Sequence, residues 1–552
     1  MRRKISRREF SKQISLGAAG AMGFAALGSL GVSGVAQGIS KQGVGREARN
    51  DRPNILLLFA DQHNANVLGC YGNPIVKTPN LDRLAVRGMR FNRHYCADAI
   101  CVASRTAMMT GLYPRTTGVL TNGDNPVHPD RYPVLQQMLQ QAGYRTGSFG
   151  KRHLADGLRL GWDESATTIN PKQDPSQENY WEWLKQDHPK QWQAHLRDWD
   201  PHFEGGAFHA DLMCQISRVD DRYRAGEYVA EKTRGFLRQA KQDGKPFFCW
   251  SSILHPHQPY TPTQRWAELY PIKDMPLPPN VYQPVDELPP LLHNWRRRMK
   301  PPWDCGKAAE HPEIYQRYIA YYYALVSETD HYMGEILDEL ERLGLDENTV
   351  VIYSSDHGDF VAHHGMVEKC ALGHNVYEDT LRVPFIVSWP KQFQQRTMCD
   401  SLSTHLDFLP TIMELTGAKR DGNAPPLPGQ SLVRTVDEGK PTSRDCVFSE
   451  NWSQVSAIGE RYKLGHWIDP TASRKQWDYR LFGDMMFNRQ TDPLEVKNLY
   501  GQKSQQTEQK HLRDQLANWE EHTSATGKNE LVAQRRSSSA AGGMSRRSKR
   551  FL

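Results

Sequence analysis

Asn54-Ile55-Leu56-Leu57-Leu58-Phe59-Ala60 is an unbroken run that ends abruptly at Asp61, and it constrains the fold more than any other stretch of the chain. A strand with one face in water alternates apolar and polar side chains, and this one does not. It predicts a strand buried on both faces of a mainly parallel sheet, with polar residues starting at its carboxyl end. Parallel neighbours need long crossovers, and the sequence supplies helical patterns between further apolar strands. Residues 80–88 carry a capping Asn80, helical apolar spacing and a terminal Gly88. Helix at 134–142 precedes strand at 144–149, helix at 228–242 precedes strand at 247–253, and a long helix at 313–343 precedes strand at 349–354. The pattern predicts an α/β fold: a large, central, mostly parallel sheet flanked by helices, with a smaller C-terminal α+β subdomain. The change of character follows Trp389-Pro390, after which come a helix at 405–416, a Gly/Pro-rich loop at 417–429, strand-like pieces near Val447 and at 462–467, and a closing helix near 508–519.

Charge separates the ends from the middle. Residues 1–50 hold nine Lys/Arg against Glu9 and Glu47, and residues 535–552 hold six with no acid; removing +7 and +6 from the total of +6 leaves −7 on residues 51–534. The bulk therefore lacks the footprint of a nucleic-acid binder. Ser6-Arg7-Arg8-Glu9-Phe10-Ser11-Lys12, a weakly apolar Ala/Gly-rich stretch and small residues near Ala36 resemble a twin-arginine export signal, which implies a periplasmic or secreted protein. No later stretch is apolar enough for a stable membrane span. The expected organisation is a signal peptide and linker at 1–50, a main domain at 51–395, a C-terminal subdomain at 396–530, and a disordered basic tail at 531–552. The nine cysteines are an odd count with no CxxC or zinc spacing, so most are expected to be ordinary buried thiols.

In open α/β sheets the polar residues that follow each strand converge at the carboxyl edge. Five clusters meet that condition: Asp61-Gln62, Cys101 to Arg105, Lys151-Arg152-His153, His255-Pro256-His257, and Asp356-His357-Gly358-Asp359. Cys101-Val102-Ala103-Ser104-Arg105 followed by Thr110-Gly111-Leu112-Tyr113-Pro114 resembles the sulfatase signature. The neighbours keep matching order: Thr78-Pro79-Asn80-Leu81-Asp82-Arg83, Gly150-Lys151-Arg152-His153, Pro256-His257-Gln258-Pro259, Ser355-Asp356-His357-Gly358, Lys369, Leu381-Arg382-Val383-Pro384, and Asp492-Pro493-Leu494-Glu495. The resemblance spans residues 52–500.

The resemblance implies that a formylglycine-generating enzyme oxidises Cys101 to formylglycine, whose geminal diol is the nucleophile and whose second hydroxyl expels the sulfate. It implies one calcium ion per chain, held by Asp61, Gln62, Asp356, His357 and the modified Cys101. Gln62 departs from the commoner second Asp, which removes one negative charge. The resemblance further implies that Arg105 holds the diol, Lys151 and Lys369 clamp sulfate oxygens, His153 accepts the diol proton, and His257 protonates the leaving alcohol. His255 is expected to be structural, and His363, His364 and His374 to be surface or packing residues. The expected substrate is a sulfated carbohydrate or another sulfate ester. A phosphate or phosphonate monoester hydrolase of the wider alkaline phosphatase superfamily and a silent sulfated-glycan-binding protein are the alternatives. Aromatic and basic residues between Trp181 and Trp199, and from Trp295 to Trp303, fit either a carbohydrate platform or ordinary packing.

Overall fold

The computed structural model describes residues 52–122, 132–159, 161–170, 172–288, 303–369, 376–393, 398–451, 454–467 and 483–523. The proposed export signal, the basic tail, His374 and most of the Trp295 to Trp303 segment lie outside these residues.

The strands of the main sheet are β1 (Asn54–Asp61), β2 (Met89–Phe91), β4 (Arg145–Gly150), β5 (Glu164–Thr167), β6 (Glu178–Asn179), β7 (Phe247–Pro256), β8 (Thr349–Ser355), β9 (Phe385–Ser388) and β10 (Met398–Cys399). Their order is β10-β2-β9-β8-β1-β7-β4-β5-β6, and β9 alone runs against the others. The short β3 (His94–Tyr95) pairs with β11 (Ser403–Thr404). Beyond them β12 (Cys446–Asn451), β13 (Gln454–Gly459), β14 (Tyr462–Trp467) and β15 (Met485–Asn488) form an antiparallel sheet.

β1 lies mid-sheet between β7 and β8, parallel to both. Its side chains divide by parity: Ile55, Leu57 and Phe59 enter one apolar core, while Leu56, Leu58 and Ala60 enter the other. Burial of each such side chain contributes about 1.5–3 kcal/mol, so a polar residue anywhere in the run would be costly. On the first side the core is completed by α2 (Cys101–Thr110), which is buried all round. On the other side lie α1 (Pro79–Arg87), the helix Ala225–Asp243 and the long helix Pro312–Arg342.

Two local features aim the chain at the carboxyl edge. The register between β1 and β7 shifts after Ala60, where Asp61 faces Pro256, and such an irregularity re-aims a side chain at a strand end. β4 ends on Gly150 with φ +97, where a Cβ would lie 1.9 Å from the Ser252 carbonyl oxygen. Only glycine permits that approach, and it places Lys151 beside β7. Among the described residues no helix is long and apolar enough to cross a membrane, and the eight described cysteines are free.

Candidate active site

The carboxyl ends of β8, β1, β7 and β4 are neighbours, so Asp356-His357, Asp61-Gln62, His257 and Lys151 meet at one edge with the N-terminus of α2 against them. α2 begins on Cys101 after extended Ile100, and the Val102 N–H donates to Asn122 Oδ1 at 3.0 Å. Donor atoms of Asp61, Cys101, Asp356 and His357 all lie within 4.8 Å of one another, and all four residues are buried.

Arg105, one turn along α2, braces the acids. It donates from Nε to Asp356 Oδ2 at 2.7 Å and from Nη2 to Asp61 Oδ2 at 2.9 Å, and its third branch reaches Ser252 Oγ at 3.0 Å and the Lys151 carbonyl. Its guanidinium also sits over the Phe59 ring, 5.0 Å from the centroid. Arg105, expected at the diol, thus spends its donors on the two carboxylates. Two buried carboxylates side by side would repel strongly, and a fully paired guanidinium makes the arrangement tenable. Lys151 Nζ lies 2.6 Å from Asp61 Oδ2 and 3.9 Å from Cys101 Sγ. Burial pushes the Asp61 carboxyl up, but Lys151, His257 and Arg105 together hold it well below the usual range. Burial and the Asp61 charge push the Cys101 thiol up to about 11. An unmodified Cys101 is therefore a neutral thiol at pH 7 and a poor nucleophile.

The histidines have assignable tautomers, because a carbonyl only accepts. His357 Nδ1 lies 2.9 Å from the Gly358 carbonyl oxygen and so donates to it, which leaves the Nε2 lone pair 3.2 Å from Cys101 Sγ and 3.7 Å from Asp356 Oδ1. His257 Nδ1 donates to the Gln258 carbonyl at 2.6 Å, and its Nε2 faces Asp61 Oδ1 at 3.9 Å. His153 borders the same cluster with φ +48, and its buried Nδ1 has no hydrogen-bond partner among the described residues. Burial, then Lys151, lowers the pKa of both His153 and His257 well below the ordinary histidine value. His255 turns away from the cluster: its Nε2 faces Arg224 Nη2 at 3.3 Å and its Nδ1 the His257 carbonyl.

Gln62, expected among the metal ligands, engages both its side-chain oxygen and its amide in hydrogen bonds. Its side-chain oxygen accepts from Lys369 Nζ at 2.9 Å, and its amide donates to Asp359 Oδ2 at 2.7 Å and to Tyr260 Oη at 3.2 Å. Its backbone N–H donates to Asp356 Oδ1 at 3.0 Å. Lys369 also pairs with Glu368 Oε1 at 3.2 Å. Gln62, His153 and Glu368 all have left-handed backbone, at φ +65, +48 and +61. Such strain in non-glycine residues clusters at functional sites. The reading from sequence gave no role to Asp359, Tyr260, Tyr318 or Glu368. Asp359 ends the Asp356-His357-Gly358-Asp359 cluster, but nothing in sequence shows that Tyr318, on the long helix, donates to it.

The donor set fits a dication: two carboxylates fixed by a guanidinium, and an imidazole whose only free lone pair points between them. A helix end set into such a cluster, at the carboxyl edge of a mostly parallel sheet, suits metal-assisted hydrolysis of an anionic ester. Comparison with known proteins carries this further. The Sulfatase family model matches residues 53–418, and the model for the C-terminal part of N-sulphoglucosamine sulphohydrolase matches residues 363–522. The chain is 23% identical over 529 residues to an N-acetylglucosamine-6-O-sulfatase of Bacteroides thetaiotaomicron, covering 84% of this chain and 86% of that one. It is 27% identical over 457 residues to a choline-sulfatase of Rhizobium meliloti, covering 81% and 82%. Among solved structures, a protein in complex with its substrate D-glucosamine-2-N,6-O-disulfate shares the fold with a TM-score of 0.67 at 21% identity, covering 87% of this chain and 99% of that one. A phosphonate monoester hydrolase of Agrobacterium radiobacter does so with 0.69 at 19%, covering 88% and 96%. The chain belongs to the sulfatase family, within the alkaline phosphatase superfamily, and is a sulfuric ester hydrolase.

Proposed function

We propose that this sulfatase hydrolyses the sulfate monoester of a sulfated saccharide outside the cytoplasm, using formylglycine derived from Cys101 and one calcium ion. The single observation that carries the reading is the position of Cys101 Sγ, at the α2 terminus among Asp61, Asp356, His357 and Lys151. The N-acetylglucosamine-6-O-sulfatase and the complex with a sulfated glucosamine support a saccharide substrate. The twin-arginine motif supports export, which places maturation by a formylglycine-generating enzyme before translocation.

Asp61, Asp356 and His357 would hold the ion, which supplies positive charge against the nucleophile and the ester. Formylglycine at position 101 supplies a diol hydroxyl in place of the neutral thiol. Arg105 holds both carboxylates in place, so the cluster is built before substrate arrives. Lys151, held on Asp61, and Lys369, held on Gln62, offer point charges to sulfate oxygens. His257 presents Nε2 to the cluster. Burial, and after it cationic Lys151, depresses its pKa at rest, and an anionic sulfate group bound there would raise it, readying the ring to protonate the leaving alcohol. His153, neutral and with an unpartnered Nδ1, is suited to accept the diol proton.

A second reading, hydrolysis of phosphate or phosphonate monoesters, is favoured by Gln62, which leaves the site one negative charge short, and by the likeness to a phosphonate monoester hydrolase. The test is kcat/KM on matched nitrophenyl sulfate and nitrophenyl phosphate, with mass analysis of the peptide bearing residue 101. Preference for sulfate with an aldehyde at position 101 is the expected result. Phosphate turned over as well as sulfate, or full activity with an intact thiol, overturns the reading.

A further inference from the structure

Resting on the saccharide reading, we infer that an aromatic groove at the far end of the same sheet edge is a second sugar-binding subsite. It takes rings of the substrate chain beyond the one that carries the scissile sulfate.

The groove has a volume of about 510 Å³ and lies between the helices Tyr180–Asp187 and Pro189–Trp199. The sequence left these aromatics as either a carbohydrate platform or ordinary packing, and here Trp181, Trp192 and Trp199 are only partly buried and line open space. Trp192, His195 and Trp199 stack as a ladder, with successive centroids 5.6 and 6.0 Å apart and ring planes 28° and 26° from parallel. Trp181 stands 6.1 Å from Trp192 and is fixed by its Nε1–H on the Thr168 carbonyl at 3.1 Å. Rings packed on one another in this way are fixed in place, so the apolar ring surface they leave to the groove can receive the C–H face of a sugar with little entropy lost on binding.

The polar atoms around those faces suit the same ligand. His195 is 4% exposed, and its buried Nε2 has no hydrogen-bond partner among the described residues. Exposed Lys172 and Lys185 rim it without an ion pair among the described residues, as a chain bearing further sulfates requires. Glu182 and Asp200 lie on the same rim and supply acceptors for sugar hydroxyls.

A hydrogen-bonded segment and a shared cavity join the groove to the catalytic cluster. The segment that bears Lys172 leaves the carboxyl end of β5, and its Asp174 accepts from Arg152 N at 3.1 Å and Arg152 Nε at 3.0 Å. Arg152 stands between Lys151 and His153. On the other side, His195 and His255 border one small buried cavity, and His255 Nδ1 donates to the His257 carbonyl. β5 lies two strands from β7, about 10 Å along the edge at ordinary strand spacing, and the helices that line the groove follow β6, the next strand, so a saccharide has to extend beyond the reacting ring to reach it.

The test compares full-length matured wild type with Trp192→Ala/Trp199→Ala and Lys172→Glu/Lys185→Glu. The probes are nitrophenyl sulfate and size-fractionated di- to octasaccharides of heparin, chondroitin sulfate and carrageenan. In wild type, kcat/KM rises with chain length on the glycan it desulfates. Each double variant loses about tenfold on the longest chains, in KM more than kcat, with nitrophenyl sulfate turnover retained. Trp192→Tyr/Trp199→Phe, which keeps two ring faces, restores most of the loss. Should the tryptophan-to-alanine variant not fold, the exposed lysine pair still decides the matter. Length dependence identical in wild type and folded variants overturns the subsite while sparing the saccharide reading. Wild type that turns over nitrophenyl sulfate but none of the saccharides overturns both.

Discussion

His257 is the residue on which the chemistry divides most clearly. With Nδ1 committed to the Gln258 carbonyl, only Nε2 can serve the leaving group. Replacing His257 with Ala should lower kcat on alkyl or sugar sulfates by about 10²–10⁴-fold, the usual worth of general acid catalysis. Nitrophenyl sulfate, whose leaving group needs no proton, should suffer far less, and steady-state kinetics on the two substrates measures the gap. Equal losses would assign His257 to sulfate binding instead. His255, two residues earlier, makes a different prediction. Burial first, and Arg224 second, lowers its pKa to about 4 against an ordinary 6.5, so it is neutral in the folded protein at pH 7. The unfolded chain binds the proton more tightly, so stability is full above pH 6.5 and is lost as pH falls toward 4. The shift is worth about 3 kcal/mol. His255→Asn should be less stable at pH 7 yet lose less on acidification, read by denaturant midpoints from pH 7.5 to 4.5; parallel curves for the two proteins would refute this.

At the scale of elements, the site is held by strand ends rather than by the side chains alone. Gly150 closes β4 with left-handed backbone and no room for a Cβ beside the Ser252 carbonyl. Gly150→Ala must move β4 away from β7 and carry Lys151 off Asp61. A loss of at least about 2 kcal/mol in stability is expected, with activity falling further than stability explains. Thermal unfolding and kcat/KM on nitrophenyl sulfate check both parts, and wild-type kinetics in a folded variant would show that Lys151 does not depend on the strand end. β1, β7 and β8 were legible because their apolar runs are long. The short β2, β5, β6 and β10 were not, because strands of two to four residues carry too little pattern.

For the whole molecule, the proposed dication would be shared by Asp61 at the end of β1, Cys101 at the start of α2, and Asp356 and His357 just after β8. An ion that binds the folded state alone stabilises it by mass action, so chelation should abolish turnover and lower the thermal midpoint, both restored by calcium. Because Arg105 and Lys151 already pair with Asp61 and Asp356, the loss of stability should be modest beside the loss of activity. Unchanged turnover after exhaustive chelation would exclude a metal-dependent site.

By itself the sequence determined the residue types at the edge of the sheet. Asp61, Cys101, Lys151, His257 and Asp356 each follow a strand or open a helix, and local apolar pattern sets those positions. It also determined the sulfatase family, through motifs that are contiguous in the chain. What each donor atom faces was decided only by the tertiary structure. Gln62 meets Lys369 across 307 positions and Arg105 meets Asp356 across 251, and no local pattern encodes which of several nearby polar groups a side chain will satisfy. The same holds for Trp181, Trp192 and Trp199: helical spacing placed them on shared faces, and packing against the rest of the protein left those faces open.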